Sequence, residues 1–329
     1  LPKTAWPPTL IFLKKPLIIL TGPTAVGKTK LSISLAKAVN GAIISADSMQ
    51  VYRHMDIGSA KITPGEMQGV THYMIDELEP DEEFHVVRFV TMAKEYLKEI
   101  YADGKIPIIA GGTGFYIQAL LYDIDFTEQQ CDETYRRQLE DLAREHGAEY
   151  LHGILREVDP ASAEAIHANN IKRVIRALEF YHLSGKKISE HNETERQKQS
   201  PYNFAYFVLT DERAKLYERI DRRVDAMIEA GLVEEVKKLK SMGCSREMVS
   251  MQGLGYKEIL AYLDGGCTLE EAVYIIKRET RHFAKRQLTW FKRERDVIWL
   301  DKQAFGYDDA AILTDMISIL EEKEIISHE

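Results

Sequence analysis

The stretch ILTGPTAVGKTKLSISLAK, residues 19–37, constrains this chain more than any other. Gly22, four intervening residues (Pro23, Thr24, Ala25 and Val26) and then Gly27-Lys28-Thr29 match the P-loop pattern. Such a loop surrounds an oxyanion with backbone N–H groups, provided that it leaves a buried strand and enters a helix. Both flanks are legible. Residues 17–20 are an apolar strand, and Leu31, Leu35 and Val39 recur at helical spacing until Asn40-Gly41 stops the helix. Lys28 adds a point charge and the Thr29 hydroxyl can hold Mg²⁺. A grip on a chain of phosphates follows, but not what the phosphates are attached to. Small-molecule kinases, ATPases and switches share this nucleotide- and ATP-binding signature.

Downstream, apolar runs at 42–45, 72–75 and 106–112 read as further strands, with an amphipathic helix over 85–102. Strands alternating with helices predict an α/β fold, a P-loop-type parallel sheet flanked by helices. Its ligands belong at the carboxyl ends of the strands, where residues 22–29, Asp47 and residues 111–114 fall. The boundaries predicted are an N-terminal extension over 1–16, a P-loop core over 17–124 and an inserted all-helical domain over 125–200. Residues 201–329 return to the sheet through a strand at 204–210 and continue as a helical C-terminal region. Within the insertion, Asp159-Pro160 reads as a helix start, 170–185 as a helix ending at Gly185, and the polar run 189–200 as a loop.

The net charge of -9 gives no global attraction for nucleic acid, so only a local basic patch could supply one. Two are legible. Residues 278–295 carry Arg278, Arg281, Lys285 and Lys292 at helical spacing, and residues 171–176 carry Lys172, Arg173 and Arg176. By itself either is equally an ordinary charged helix face. The three cysteines, Cys131, Cys244 and Cys267, have no metal-ligand or paired spacing, which points to a reducing cytosol without a zinc site. Apolar runs near the N-terminus are broken by Lys14, Lys15 and Pro16, far short of the ~20 residues of a membrane span.

Asp47, just past the second strand and beside the loop, has two readings. It could hold Mg²⁺ through water, as in an NTPase, or act as a general base toward an acceptor. Ser48, Met49 and Gln50 follow, and a Gln amide matches an adenine edge.

Taken together, GPTAVGKT, DSMQVYR, IGSAK (57–61), GGTGFYI (111–117), NIKRVIRALEFY (170–181), RIDRRVDAMIEAGLVEEV (219–236), GLGYKEI (253–259) and RHFAKRQLTWFKR (281–293) resemble the tRNA dimethylallyltransferases over residues 17–300. Ser59 stands where Thr is usual. The absence of a C-terminal Cys/His cluster makes the resemblance one to the bacterial type, without the zinc finger of eukaryotic relatives.

That resemblance implies that the loop (Gly22, Pro23, Thr24, Ala25, Val26, Gly27, Lys28, Thr29) holds dimethylallyl diphosphate. The C5 group would pass to N6 of adenosine 37 in the anticodon stem-loop of tRNAs reading UNN codons. Asp47 would be the base, with Lys28, Thr29-bound Mg²⁺ and Arg223 on the leaving group and Thr113 beside the reacting base; Arg222 is a weaker alternative to Arg223. Contacts to tRNA would come from Asp47, Ser48, Met49, Gln50, Thr113, Arg136, Lys172, Arg173, Val174, Ile175, Arg176, Arg281 and Lys285. A monomeric cytoplasmic enzyme is implied. Two rivals remain: an adenylate isopentenyltransferase, to which the insertion and the basic helices run counter, and a P-loop kinase or ATPase, for which no Arg-rich lid is visible.

Overall fold

The computed structural model describes residues 14–124 and 132–327, so that Cys131 and most of the expected N-terminal extension lie outside the described residues. Six strands form one sheet: β1 (Lys15–Thr21), β2 (Gly41–Ala46), β3 (His72–Tyr73), β4 (Ile106–Gly111), β5 (Tyr202–Thr210) and β6 (Val297–Asp301). Their order is β3-β2-β4-β1-β5-β6 and every pairing is parallel, as the alternation of strands and helices predicts. The central strands are buried on both faces, which is why residues 17–20 and 205–209 are continuously apolar rather than alternating.

Two features depart from expectation. The third strand ends at Tyr73 rather than at residue 75, because Met74 turns into the left-handed region at φ 62°. At the other edge, β6 was not foreseen. Its VIWLD run is β-branched and aromatic but only five residues long, and it lies inside a stretch whose neighbours are all helical.

α1 (Lys28–Ala38), α3 (Val86–Ala102) and α10 (Arg213–Glu229) cover the sheet together with α13 (Leu269–Phe291) and α14 (Asp309–Glu322). The inward faces of α1, α10, α13 and α14 supply Leu31, Leu35, Leu216, Ile220, Ala284, Ile312 and Met316 to one apolar core with Ile18, Leu20, Ile108 and Phe207. Each such Leu or Ile contributes about 1.5–3 kcal/mol of burial. Among the described residues no helix is long and apolar enough to cross a membrane.

The described residues divide into two compact units, one made of those up to Leu120 and from Tyr202 onward, the other of those within Leu121–Pro201. The second unit is helical: α5 (Glu133–His146), α6 (Ala148–Val158), α7 (Pro160–Ala165), α8 (Ile171–Ser184) and α9 (Ile188–Gln197). Its own core joins Leu139, Leu151, Leu155, Val174, Ile175 and Leu178. Val174 and Ile175, 0% and 4% exposed, therefore correct an expectation: they face this core and cannot present side chains to RNA. The run 189–200, expected to be a loop, is largely α9. Polar as it is, its glutamates, glutamine and arginine favour helix, and its start is pinned.

The pin is Asp159, 1% exposed. Its carboxylate accepts the Ser162 N–H (3.1 Å) and hydroxyl (2.6 Å), which caps α7, and the Ser189 N–H (3.0 Å) and hydroxyl (2.7 Å), which anchors α9. Burial alone would push its pKa up; the hydrogen bonds from Ser162 and Ser189 outweigh that and hold it below the usual range. Asp159→Ala should cost about 2–4 kcal/mol in urea melts, more than Ser189→Ala, because four donors lose one acceptor. Equal losses would show that α9 is held elsewhere.

Candidate functional site

The loop after β1 is shaped by close approach. A Cβ on Gly22, at φ 146°, would lie 2.3 Å from the Leu209 carbonyl oxygen of β5. Alongside, the ends of β1, β4 and β2 are tied together. The Thr21 hydroxyl donates to the Gly111 carbonyl (2.7 Å), and a Cβ on Gly111 would strike the Ala46 carbonyl at 2.3 Å. The Thr113 N–H donates to that same Ala46 carbonyl at 3.1 Å. Thr113 and Asp47, which directly follows Ala46, are thereby fixed at adjacent strand ends.

Two side chains from the C-terminal helices hold the loop itself. Gln287 on α13, 6% exposed, accepts the Thr24 N–H at 2.9 Å and donates to the Gly112 carbonyl at 3.0 Å. Arg219 on α10 donates from Nε to the carbonyl of Ala25 (3.0 Å), a non-glycine residue at φ 62°. Its guanidinium also pairs with the fully buried Asp211 carboxylate, which Tyr307 hydrogen-bonds at 3.1 Å. Neither Gln287 nor Arg219 was singled out from sequence. The available signal was a polar residue on the buried stripe of α13, and an arginine one turn before Arg223.

Lys28, Asp47 and Arg223 form one electrostatic group. Lys28 donates to the carbonyls of Gly22 (2.9 Å) and Pro23 (2.8 Å). Burial, and next the charge of Arg223, lower its pKa to about 7, while Asp47 pulls it up. Burial likewise presses Arg223 down and Asp47 opposes it. Arg222 instead points outward and pairs with Glu218 on its own helix, so of these two it is Arg223 that couples to Lys28 and Asp47. Two partly buried cations thus lie beside one carboxylate, a local excess of positive charge. Thr29 is exposed in the first turn of α1.

Next to Asp47, whose Oδ1 accepts the Met49 N–H (2.9 Å), Gln50 donates to the carbonyls of Ser59 (3.4 Å) and Ala60 (3.2 Å). Its amide thus supports the 57–61 loop. That loop wraps a carboxylate: Glu235 of α11 (Leu232–Ser241) accepts the N–H groups of Asp56, Ile57 and Gly58 at 2.9, 2.7 and 3.1 Å. Tyr256, in α12 (Tyr256–Leu263), donates to Glu235 (2.8 Å) and accepts the Ser59 N–H (3.1 Å). Ser48 and Met49 are partly buried, and a Cβ on Gly253 would meet the Met49 methyl at 2.6 Å.

On α13, Arg281 pairs with Asp221 of α10 (2.6 Å), whereas Lys285 is exposed. In the helical unit Lys172, Arg173 and Arg176 are exposed on α8. Arg136 makes a two-pronged pair with the buried Glu179 (2.9 and 2.7 Å), and Arg176 is electrostatically coupled to both. Among the described residues no cluster of His, Cys, Asp or Glu could hold a metal by itself.

A phosphate ester bound in the loop favours the charged form of Lys28, so binding must raise a pKa that starts at about 7. At about pH 8.5, where a diphosphate ester is already fully ionised, binding should therefore take up close to one proton. Calorimetry in two buffers of different ionisation heat measures it. Lys28→Met should abolish the uptake, and an equal uptake in that variant would assign it to another group.

These elements agree with what the chain resembles. The family model for IPP transferase matches residues 50–294. The chain is 67% identical over 312 residues to the tRNA dimethylallyltransferase of Lachnoclostridium phytofermentans, covering 95% of this chain and 99% of that one. With the tRNA dimethylallyltransferase of Acetivibrio thermocellus it shares 53% over 295 residues, 90% and 94% of the two chains. The crystal structure of the full-length tRNA isopentenylpyrophosphate transferase of Bacillus halodurans superposes with a TM-score of 0.71 at 46% identity, covering 94% of this chain and 98% of that one. A eukaryotic dimethylallyltransferase acting on tRNA gives 0.77 at 30%, covering 94% and 80%. With the matched region running from the residues beside Asp47 to the end of α13, this chain belongs to the IPP transferase family.

Proposed function

We propose that the chain transfers a dimethylallyl group from dimethylallyl diphosphate to N6 of adenosine 37 in the anticodon stem-loop of tRNAs reading UNN codons, releasing diphosphate. The convergence of Asp47, Lys28 and Arg223 at one loop carries this reading: an anion site and a carboxylate base side by side, as alkyl transfer to an amine requires. Relatives at 67% and 53% identity bear the name tRNA dimethylallyltransferase, which supports the coarser reading of dimethylallyl transfer to tRNA.

In the reaction the N6 lone pair bonds to the allylic carbon as the carbon–oxygen bond breaks, and the bonding electrons leave on the diphosphate. The N6 proton passes to the Asp47 carboxylate. Lys28, Arg223 and the loop N–H groups stabilise the charge gathering on the leaving oxygens. Because Lys28 and Arg223 are partly withdrawn from water, their charges act at a lower dielectric than on an open surface. Thr113, fixed beside Asp47, lines the place where the base must sit. The exposed Thr29 hydroxyl and the nearby Asp47 carboxylate are hard oxygen donors of the kind Mg²⁺ takes. Thr29 would hold Mg²⁺, which when bound would neutralise part of the diphosphate charge.

Adenosine 37 must leave its stack to reach Asp47. Lys172, Arg173 and Arg176 on the helical unit, with Lys285 and Arg281 on α13, supply cations for the RNA backbone. A cytoplasmic, monomeric enzyme is in keeping with a tRNA substrate and with one copy of the chain carrying every named group. Relatives named for prenyl transfer to tRNA count against a kinase reading, and a free-nucleotide acceptor leaves the helical unit without a task.

Incubation with dimethylallyl diphosphate and unmodified tRNA should add one C5 unit to one adenosine, read by mass spectrometry. Prenylation of AMP but not tRNA would reject the assignment. Asp47→Ala should keep donor binding and lower kcat by about 10²–10⁴; unchanged kcat would return Asp47 to its turn-forming role.

A further inference from the structure

Lys302 follows the last residue of β6, and its N–H donates to the Thr210 carbonyl at the end of β5 (3.1 Å). Its side chain is only 12% exposed, and the ammonium group lies 3.2 Å from where a Cβ on Gly27 would stand. Gly27, at φ 102°, is the turn of the phosphate loop just before Lys28. The ammonium is steadied by Asp309 at the start of α14 (3.0 Å), and the other oxygen of that carboxylate pairs with Lys30 of α1 (3.1 Å). Burial pushes Asp309 up, but Lys302 and Lys30 outweigh it and hold the carboxyl below its usual range, so it stays ionised. Two cations on one carboxylate leave a net positive charge at the outer edge of the loop.

Strand order gives that charge a direction. In β3-β2-β4-β1-β5-β6 the ends of β2 and β4, with Asp47 and Thr113, lie on one side of the loop, and the ends of β5 and β6, with Lys302, lie on the other. A diphosphate ester whose allylic carbon faces Asp47 extends its second phosphate toward the β5–β6 side. Resting on the donor assignment above, the geometry points to Lys302 as a positioning residue for the terminal phosphate of the donor, acting beside Lys28 and Arg223, which face the bond that breaks. Lys302 thereby favours diphosphate esters over monophosphate esters.

The test uses the full chain and three probes: dimethylallyl diphosphate as substrate, and inorganic diphosphate and dimethylallyl monophosphate as inhibitors. Lys302→Met should raise KM for the donor about tenfold, the effect of one partly screened charge, with kcat within about twofold. The inhibition constant of inorganic diphosphate should rise in parallel and lose salt dependence, while that of dimethylallyl monophosphate stays put. Lys302→Arg should restore KM, and Lys302→Gln replaces the Met variant if the latter fails to melt cooperatively. An unchanged KM, or an equal shift for monophosphate and diphosphate, would overturn the inference, the latter because a distorted loop weakens both. If the unmodified protein does not prenylate tRNA, the donor assignment fails instead, and direct binding of the two inhibitors still decides the role of Lys302.

Discussion

One side-chain amide joins the two glycine turns on which the site is built. Gln287 accepts from Thr24 in the phosphate loop and donates to Gly112 after β4, and a Cβ on Gly112 would lie 2.2 Å from its nitrogen. Both partners are backbone groups, so the amide fixes main-chain positions rather than side-chain rotamers. Removing it would leave a partly buried N–H and a partly buried carbonyl without this partner, at up to about 1–3 kcal/mol each. The anion grip of the first turn and the acceptor position at the second are thereby held in register by a helix that joins neither.

The same logic runs through the other motifs, most of which are contact surfaces for one another. Gly111 yields to Ala46, Gly114 to the ring of Trp290, Gly253 to Met49 and Gly58 to Tyr256. Glu235 takes three successive N–H groups of the 56–58 turn. Against this rigid frame the charged groups are left unbalanced. Arg223 lowers the pKa of Lys28 and both cations are drawn to Asp47, so two positive charges share one carboxylate beside the loop.

The sheet, the phosphate loop and Asp47 were legible in the sequence because each rests on a local rule: a buried apolar run, a glycine spacing, a carboxylate at a strand end. Arg223 needed the family resemblance to be chosen over Arg222, and three-dimensional proximity to Lys28 separates the two. Gln287, Arg219 and Lys302 escaped, since each acts on a loop far away in the chain and carries no spacing of its own. The same blindness to tertiary context explains β6, a five-residue edge strand among helices, and α9, a polar segment made helical by one buried aspartate 30 residues earlier. Val174 and Ile175 were placed on the RNA surface with their basic neighbours, although helical periodicity turns them to the opposite face.

In the proposed reaction the anion gripped at the end of β1 is the departing half of an allylic donor. Calorimetric titration with dimethylallyl diphosphate and, separately, with ATP tests it most directly. Saturable binding of the isoprenoid that Lys28→Met removes, with ATP bound far more weakly, is the result predicted here. Tight binding of ATP together with no heat from dimethylallyl diphosphate would contradict it.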